Sequence, residues 1–275
     1  MGTIELSYVQ YQTVMNIFSL TIAATGSASI FFFLKRQEVL PRYRAAVTLL
    51  GLVSLVAAYN YLRLTLSWRE AYQVVNGDVV RTGVPYDDLY RYADWLMTVP
   101  LLLVALVLAL DLPLRQSRLR ITILGLLAVE MIVFGYVGHV AAARQDQWLW
   151  WSIAMVPFLI IVQQLYFGLA AGVRNEPRDA RRLISIVRLI TVVTWTAYPG
   201  LYLLPLFVPA SSTALVATQL GYAAADIVAK AVCGLFICRV AQSKSDATAL
   251  ATAPAARQGH SVLITLCRGR AAGRS

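Results

Sequence analysis

Seven stretches of this chain are each long and apolar enough to cross a lipid bilayer, and that constraint leaves few folds open. A spanning helix needs about 20 mostly apolar residues to cover ~30 Å of hydrocarbon, and residues 8–34, 43–67, 87–110, 119–141, 147–172, 182–208 and 213–240 each qualify. Backbone polar groups in lipid must be satisfied within the spanning structure, so runs of this length read as helices. Across all 275 residues 59% are hydrophobic and only 14% charged, against roughly 25% charged in a soluble domain. The expected fold is therefore an all-α, multi-pass membrane protein, a seven-helix bundle over residues 1–243 with a disordered cytoplasmic tail over 244–275. Pro41 and the polar runs 112–118, 143–147 and 174–182 supply the breaks between spans.

Short loops rich in Lys and Arg mark the cytoplasmic side. Lys35, Arg36, Arg42 and Arg44 follow the first span, Arg115, Arg118 and Arg120 the third, and Arg174, Arg178, Arg181 and Arg182 the fifth. In the alternate loops Arg69, Arg81 and Arg144 are offset by Glu70, Asp78, Asp87, Asp88 and Asp146. The N-terminus is thus expected outside, and the net charge of +10 is a topology signal that argues against a nucleic-acid partner. The first span carries Gln10, Gln12 and Asn16 with no small-residue cleavage site after a short apolar core, so it reads as a retained helix. The second loop, 68–88, has β-branched residues around Asn76-Gly77, the signature of a short β-hairpin. Cys233, Cys238 and Cys267 fit neither a disulfide framework nor a metal-ligand spacing.

Lys230 lies in the middle of the last span, in LGYAAADIVAKAVCGLFI. A lysine at bilayer depth costs from ~3 to ~10 kcal/mol or more and persists only where a partner or a covalent bond relieves the charge. Asp226 lies four residues earlier on the same helical face. A buried amine beside a carboxylate suits a carbonyl ligand held as a protonated Schiff base with its counter-ion in place. In the third span Arg91, Asp94 and Thr98 stack at spacings of three and four, aligning a cation, a carboxylate and a hydroxyl inside the membrane.

The run Arg91 to Leu103 resembles the third helix of microbial rhodopsins. Trp195-Thr-Ala-Tyr198-Pro199 resembles their sixth and Asp226-Ile-Val-Ala-Lys230 their seventh, while Phe134 to Gly138 (FGYVG) points to the bacterial xanthorhodopsin and proteorhodopsin branch. The likeness covers residues 8–243. It implies all-trans retinal bound covalently to Lys230, with Asp94 as counter-ion and proton acceptor, Asp226 as second counter-ion and Arg91 offsetting their charge. It also implies that Tyr198 donates to Asp226, that Thr98 bonds to Asp94, and that Trp95 and Trp195 sandwich the chromophore. Tyr92, Leu102, Met131, Gly135, Trp151, Phe158 and Pro199 complete the pocket. Leu102 matches the apolar choice linked to green absorption.

Several positions depart from that pattern. Ala105 stands where proton-pumping relatives carry a cytoplasmic carboxylic donor, eleven residues or ~16 Å beyond Asp94. Asn60 stands where proteorhodopsins place a histidine, and an amide does not titrate. Residues 208–218 hold no acid to release protons, and His139, at the outer end of the fourth span, stands where proteorhodopsins have an acid but reads first as a solvated helix end. Glu130 interrupts an apolar span and needs a partner subunit, a polar neighbour or a proton. Trp151 would fill the gap that a carotenoid antenna requires, so no antenna is expected.

The resemblance implies a light-driven outward proton pump in a bacterial inner membrane, a transporter rather than an enzyme. Its partners are protons and lipid, and the family habit is a trimer or pentamer. Reprotonation would come from the cytoplasm without a carboxylic donor. The alternative is a sensory rhodopsin with a slow photocycle, because sensory relatives also lack the donor.

Overall fold

A computed structural model of the chain describes residues 5–110, 112–174, 176 and 178–251. The first helix, Tyr8–Lys35, starts with a capping box. Ser7 Oγ accepts from the Gln10 amide, and Gln10 Oε1 accepts from the Ser7 amide at 2.9 Å, which satisfies two otherwise orphaned donors. The second, Pro41–Ala71, opens with proline in its first turn, where the missing N–H costs nothing. It runs directly into the hairpin Tyr72–Val75 and Asp78–Arg81, paired antiparallel with Val75 opposite Asp78. Asn76 and Gly77, at φ 54° and 93°, form the two-residue turn, as their sequence predicts.

The third and fourth helices are Leu89–Leu108 and Leu114–Val140. The fifth comprises Arg144–Gln163, a π-helical turn Gln164–Gly168 and Ala170–Arg174. The sixth is Arg178–Phe207; the seventh comprises Ser212–Asp226, a second π-helical turn Ile227–Val232 and residues 233–251. Successive helices pack side by side and the seventh closes on the first, giving the seven-helix bundle. Among the described residues six helices are long and apolar enough to cross a membrane. The multi-pass expectation is met, and the hairpin lies at the end shared by the N-terminus and Arg91.

The polar residues after 243 do not end the seventh helix, contrary to the expected tail boundary. Ser245 Oγ accepts from the Leu40 amide at 3.0 Å and Arg42 Nη2 donates to Thr248 Oγ1 at 3.1 Å, so side-chain bonds dock another two turns onto the first-to-second connection. Residues 252–275, including Cys267, lie outside the described residues, as does Asp111.

Two packed regions flank the bundle's centre. Toward the hairpin, Phe18, Tyr61 and Trp68 are fully buried, with Trp68 against Tyr72 and edge-on to Tyr86. Toward the other end the core holds Leu103, Leu106, Val107, Ile237 and Ala241 together with the buried rings of Phe32 and Tyr43. Close contact of the first two helices depends on Gly51, whose added Cβ would lie 2.9 Å from the Phe33 ring and whose carbonyl accepts from Ser29 Oγ at 2.9 Å. Glu130 lies on the exposed outer face of the fourth helix.

Candidate functional site

Lys230 sits in the π-helical turn of the seventh helix, 3% exposed. Such turns add one residue to the helical ladder and recur at functional sites. Its Nζ donates to Asp226 Oδ1 at 2.6 Å and to Asp94 Oδ2, and both carboxylates are at most 1% exposed. The intramembrane lysine is thus paired twice, which removes the isolated-charge penalty that its position would otherwise impose.

The two carboxylates differ in their support. Asp226 Oδ1 also accepts from Tyr198 OH at 2.8 Å and Trp95 Nε1 at 3.2 Å, and its Oδ2 accepts from Tyr61 OH at 2.7 Å. Asp94 Oδ2 accepts from Lys230 alone, and Asp94 Oδ1 is buried with no hydrogen-bond partner among the described residues. Thr98 does not bond to the Asp94 carboxylate. Its Oγ1 donates to the Asp94 main-chain carbonyl at 2.8 Å, the i−4 bond usual for a helical threonine. Asn60 likewise turns to its own helix, donating to the Val56 carbonyl at 3.0 Å.

Arg91, 1% exposed, closes the hairpin side of the cluster. It donates from Nη1 to Tyr61 OH at 3.2 Å and from Nη2 to Gln219 Oε1 at 2.6 Å, and lies over the Tyr222 ring at 4.7 Å. Asp88 stands 3.5 Å from Arg91 Nε on the outer side. Tyr86 OH donates to the same Gln219 oxygen at 3.1 Å. Desolvation of that hydroxyl, with Asp88 nearby, pushes its pKa well above the ordinary tyrosine range, so Tyr86 stays a neutral donor.

Lys230 opens onto a cavity between the helices. All eleven residues expected at the chromophore line it: Tyr92, Trp95, Leu102, Met131, Gly135, Trp151, Phe158, Trp195, Tyr198, Pro199 and Lys230. Trp151 turns inward and donates from Nε1 to the Pro199 carbonyl at 3.2 Å, whereas its neighbour Trp148 packs on Phe207. An apolar slot lined by aromatic rings suits one elongated apolar molecule. A single polar wall at Lys230 suits a ligand with one carbonyl end.

The sequence reading missed Tyr61, Gln219 and Tyr222. Gln219, Tyr222, Asp226 and Lys230 follow at spacings of three, four and four, a polar stripe along one helical face that was available to it. Tyr61 carried no such signal, because tyrosines also flank Asn60 for packing reasons. Toward the other end Thr191 Oγ1 and Cys233 Sγ lie 3.5 Å apart, one turn beyond Lys230, in the same buried cluster as Ala105. His139 is exposed, 5.1 Å from the Tyr92 ring.

Among solved structures the chain is similar to thermophilic rhodopsin (TM-score 0.86, 38% identity, 89% of this chain and 98% of that one). It matches xanthorhodopsin, described as a light-driven ion pump with dual chromophore, at TM-score 0.86 and 37% identity over 90% of this chain and 99% of that one. The green-light absorbing proteorhodopsin of the gamma-proteobacterium EBAC31A08 is 29% identical over 83% of this chain and 86% of its own length. The bacteriorhodopsin-like protein family matches residues 12–244. With its lysine between two buried carboxylates on the wall of an aromatic cavity, the chain belongs to the bacteriorhodopsin-like family of microbial, type 1 rhodopsins.

Proposed function

We propose that this protein is a light-driven outward proton pump of a bacterial inner membrane, with retinal carried on Lys230 and the hairpin end outside. The observation that carries the reading is Lys230 Nζ held between Asp94 and Asp226 at the wall of the aromatic cavity. The cavity suits retinal by its chemistry: an apolar slot for the polyene, a lone amine at one end for the aldehyde carbon, and buried carboxylates for the resulting charge. When bound, retinal supplies visible-light absorption and a double-bond isomerisation that reorients the Lys230 nitrogen.

The protein's own groups decide where the proton goes. Protonating Asp226 weakens the bonds from Tyr61, Tyr198 and Trp95, and each bond to a charged group is worth ~1.5–3 kcal/mol. Asp94 forfeits no comparable support and has an oxygen without a bond, so Asp94 is the acceptor and Asp226 the standing counter-ion. Arg91 holds the pair electrically near neutral and, through Gln219 and Tyr86, connects them to the outer face. Trp95, Trp195 and Phe158 exclude water and fix the ligand's plane, and the absence of an antenna is proposed because Trp151 stands where a carotenoid would need a gap.

On the opposite side Ala105, fully buried, can neither hold nor pass a proton. The returning proton therefore comes from the cytoplasm by way of water, and recovery slows as pH rises. Light-driven pH change in a suspension of retinal-supplied cells, with and without a protonophore, tests the reading. Acidification outside that the protonophore abolishes is the expected result. A coloured, photocycling protein that moves no protons would overturn it in favour of a sensor.

A further inference from the structure

Glu130 lies in the fourth helix ten residues, or ~15 Å, from the hairpin end at Val140 and sixteen, or ~24 Å, from Leu114. At about 100° per residue it stands opposite the buried positions Leu124, Ala128 and Ile132, and its exposed neighbours on that face are Leu126 and Val133. Among the described residues none forms an ion pair or hydrogen bond with it. A glutamate is too short to reach water from that depth, and a helical side chain leans toward its own N-terminus, here the longer way out. Carboxylates at membrane depth face protein or water, because an acid set alone in hydrocarbon is costly. The fourth helix thus presents an acidic spot that its own chain leaves unmatched.

A complementary spot lies on the second helix. Tyr59, 59% exposed, and Arg63, half-buried, stand four residues apart on its outward side, with the exposed Leu62 and Leu66 beside them. Arg63 donates from Nη2 to Tyr90 OH and lies 4.7 Å from that ring. Among the described residues its other N–H groups and the Tyr59 hydroxyl hold no hydrogen bond. Counted from the hairpin end of this helix at Ala71, Tyr59 is ~18 Å down and Arg63 ~12 Å, so the Glu130 depth of ~15 Å falls between them. The third helix packs between the second and the fourth, so the acid and its complement face different ways on one copy and meet only across two. In lipid no hydrophobic force draws apolar helix faces together, and packing with polar contacts decides association. We propose that the fourth helix of one copy docks on the second helix of the next, with Glu130 accepting from the neighbour's Tyr59 hydroxyl and Arg63 guanidinium. The contact joins unlike faces, so each copy uses both and the assembly closes into a ring.

Full-length protein with retinal, labelled at its N-terminus, is placed in lipid vesicles over a range of protein-to-lipid ratios, and stepwise photobleaching counts the copies in each assembly. Wild type is compared with Glu130→Gln, with Tyr59→Phe/Arg63→Gln, and with all three changes together. Visible absorption checks folding, since none of the three residues lines the cavity. Wild type is expected to give assemblies of one fixed copy number. Glu130→Gln and the second-helix variant should each weaken association about tenfold or more, the triple variant no further, and all should keep the wild-type colour. If Glu130→Gln yields no pigment, the second-helix variant carries the comparison. Assembly that survives Glu130→Gln in folded pigment would overturn the proposal. So would loss in Glu130→Gln without loss in the second-helix variant, which would give the acid a different partner. A monomeric wild type also overturns it, and an infrared carbonyl band that vanishes in Glu130→Gln would then mark a neutral acid facing lipid.

Discussion

Removing the Tyr61 hydroxyl tests why one carboxylate and not the other takes the proton. Tyr61→Phe deletes the donor to Asp226 Oδ2 at 2.7 Å and the acceptor of Arg91 Nη1 at 3.2 Å. The ring remains, 1% exposed and edge-on to Phe18 at 5.7 Å, so no cavity opens. Losing one hydrogen bond to a charged group costs ~1.5–3 kcal/mol, and ~1.4 kcal/mol is tenfold in a proton equilibrium. The partition of the proton between Asp94 and Asp226 therefore moves toward Asp226 by about ten- to a hundredfold. Tyr198→Phe removes the 2.8 Å bond to the other oxygen; the two share one acceptor, so their effects need not add. The assay is the light-minus-dark infrared difference spectrum of hydrated membranes, reading the carbonyl stretch of a newly protonated carboxyl, with Asp94→Glu assigning the band. Wild type is expected to show the Asp94 band alone; the Tyr61→Phe/Tyr198→Phe variant should add a band from Asp226 and pump fewer protons per photon. A double variant that still protonates Asp94 alone, at full amplitude, would refute the argument from hydrogen-bond asymmetry.

Lys230→Ala should give folded protein that stays colourless with all-trans retinal, as read by visible absorption beside helical circular dichroism. Ala105→Asp puts a carboxyl in the empty donor position. Overpacking at a fully buried residue should cost ~1–3 kcal/mol of stability, while recovery measured by flash absorbance becomes faster and loses most of its dependence on pH. Gly77→Val forces a β-branched side chain to φ 93°; thermal unfolding should show at most ~1–2 kcal/mol of destabilisation, with colour retained because the hairpin lies outside the cavity.

The spans, the hairpin and the lysine with its two carboxylates were legible because each rests on a local signal: an apolar run, an Asn-Gly turn, a charge where lipid forbids one. The cavity residues of the third, fourth, sixth and seventh helices were legible through resemblance, because quoted motifs fixed those registers; Trp151 and Phe158, on the fifth, lie in no such motif. What escaped was set by tertiary contact. Thr98 was expected to support Asp94, yet a helical threonine has its own i−4 carbonyl within reach and takes it. Lys244 looked like the start of a polar tail, because polar composition marks a helix end only when nothing across the bundle accepts the side chains. Glu176 and the Ala109 carbonyl accept this one. The π-helical turns left no mark in composition, since one added residue changes the direction of a side chain and not its type.

Under the proposed function the asymmetry about Lys230 bears on direction, because a pump without a donor needs some other reason not to run backwards. Toward the hairpin the lysine meets Asp94, Asp226 and Tyr61, then Arg91, Gln219 and Tyr86, each within hydrogen-bond distance of a neighbour. Toward the other end, among the described residues, it meets the Thr191–Cys233 contact and then a mostly apolar cluster with Leu106, Val107, Ile237 and Val240, beside which the buried Arg188 lies one turn from Thr191. A proton leaving Lys230 has an immediate acceptor on one side and none on the other, whichever way the nitrogen first turns. A returning proton has the reverse problem: Asp94 can give its proton back directly, a futile step, unless Lys230 has turned toward the dry side before water arrives there. On this reading the order of events replaces the donor. On the pump reading the end remote from the hairpin must stay dry until Asp94 is protonated and admit water before Lys230 turns back, so direction depends on the timing of that hydration more than on any titrating group near Ala105.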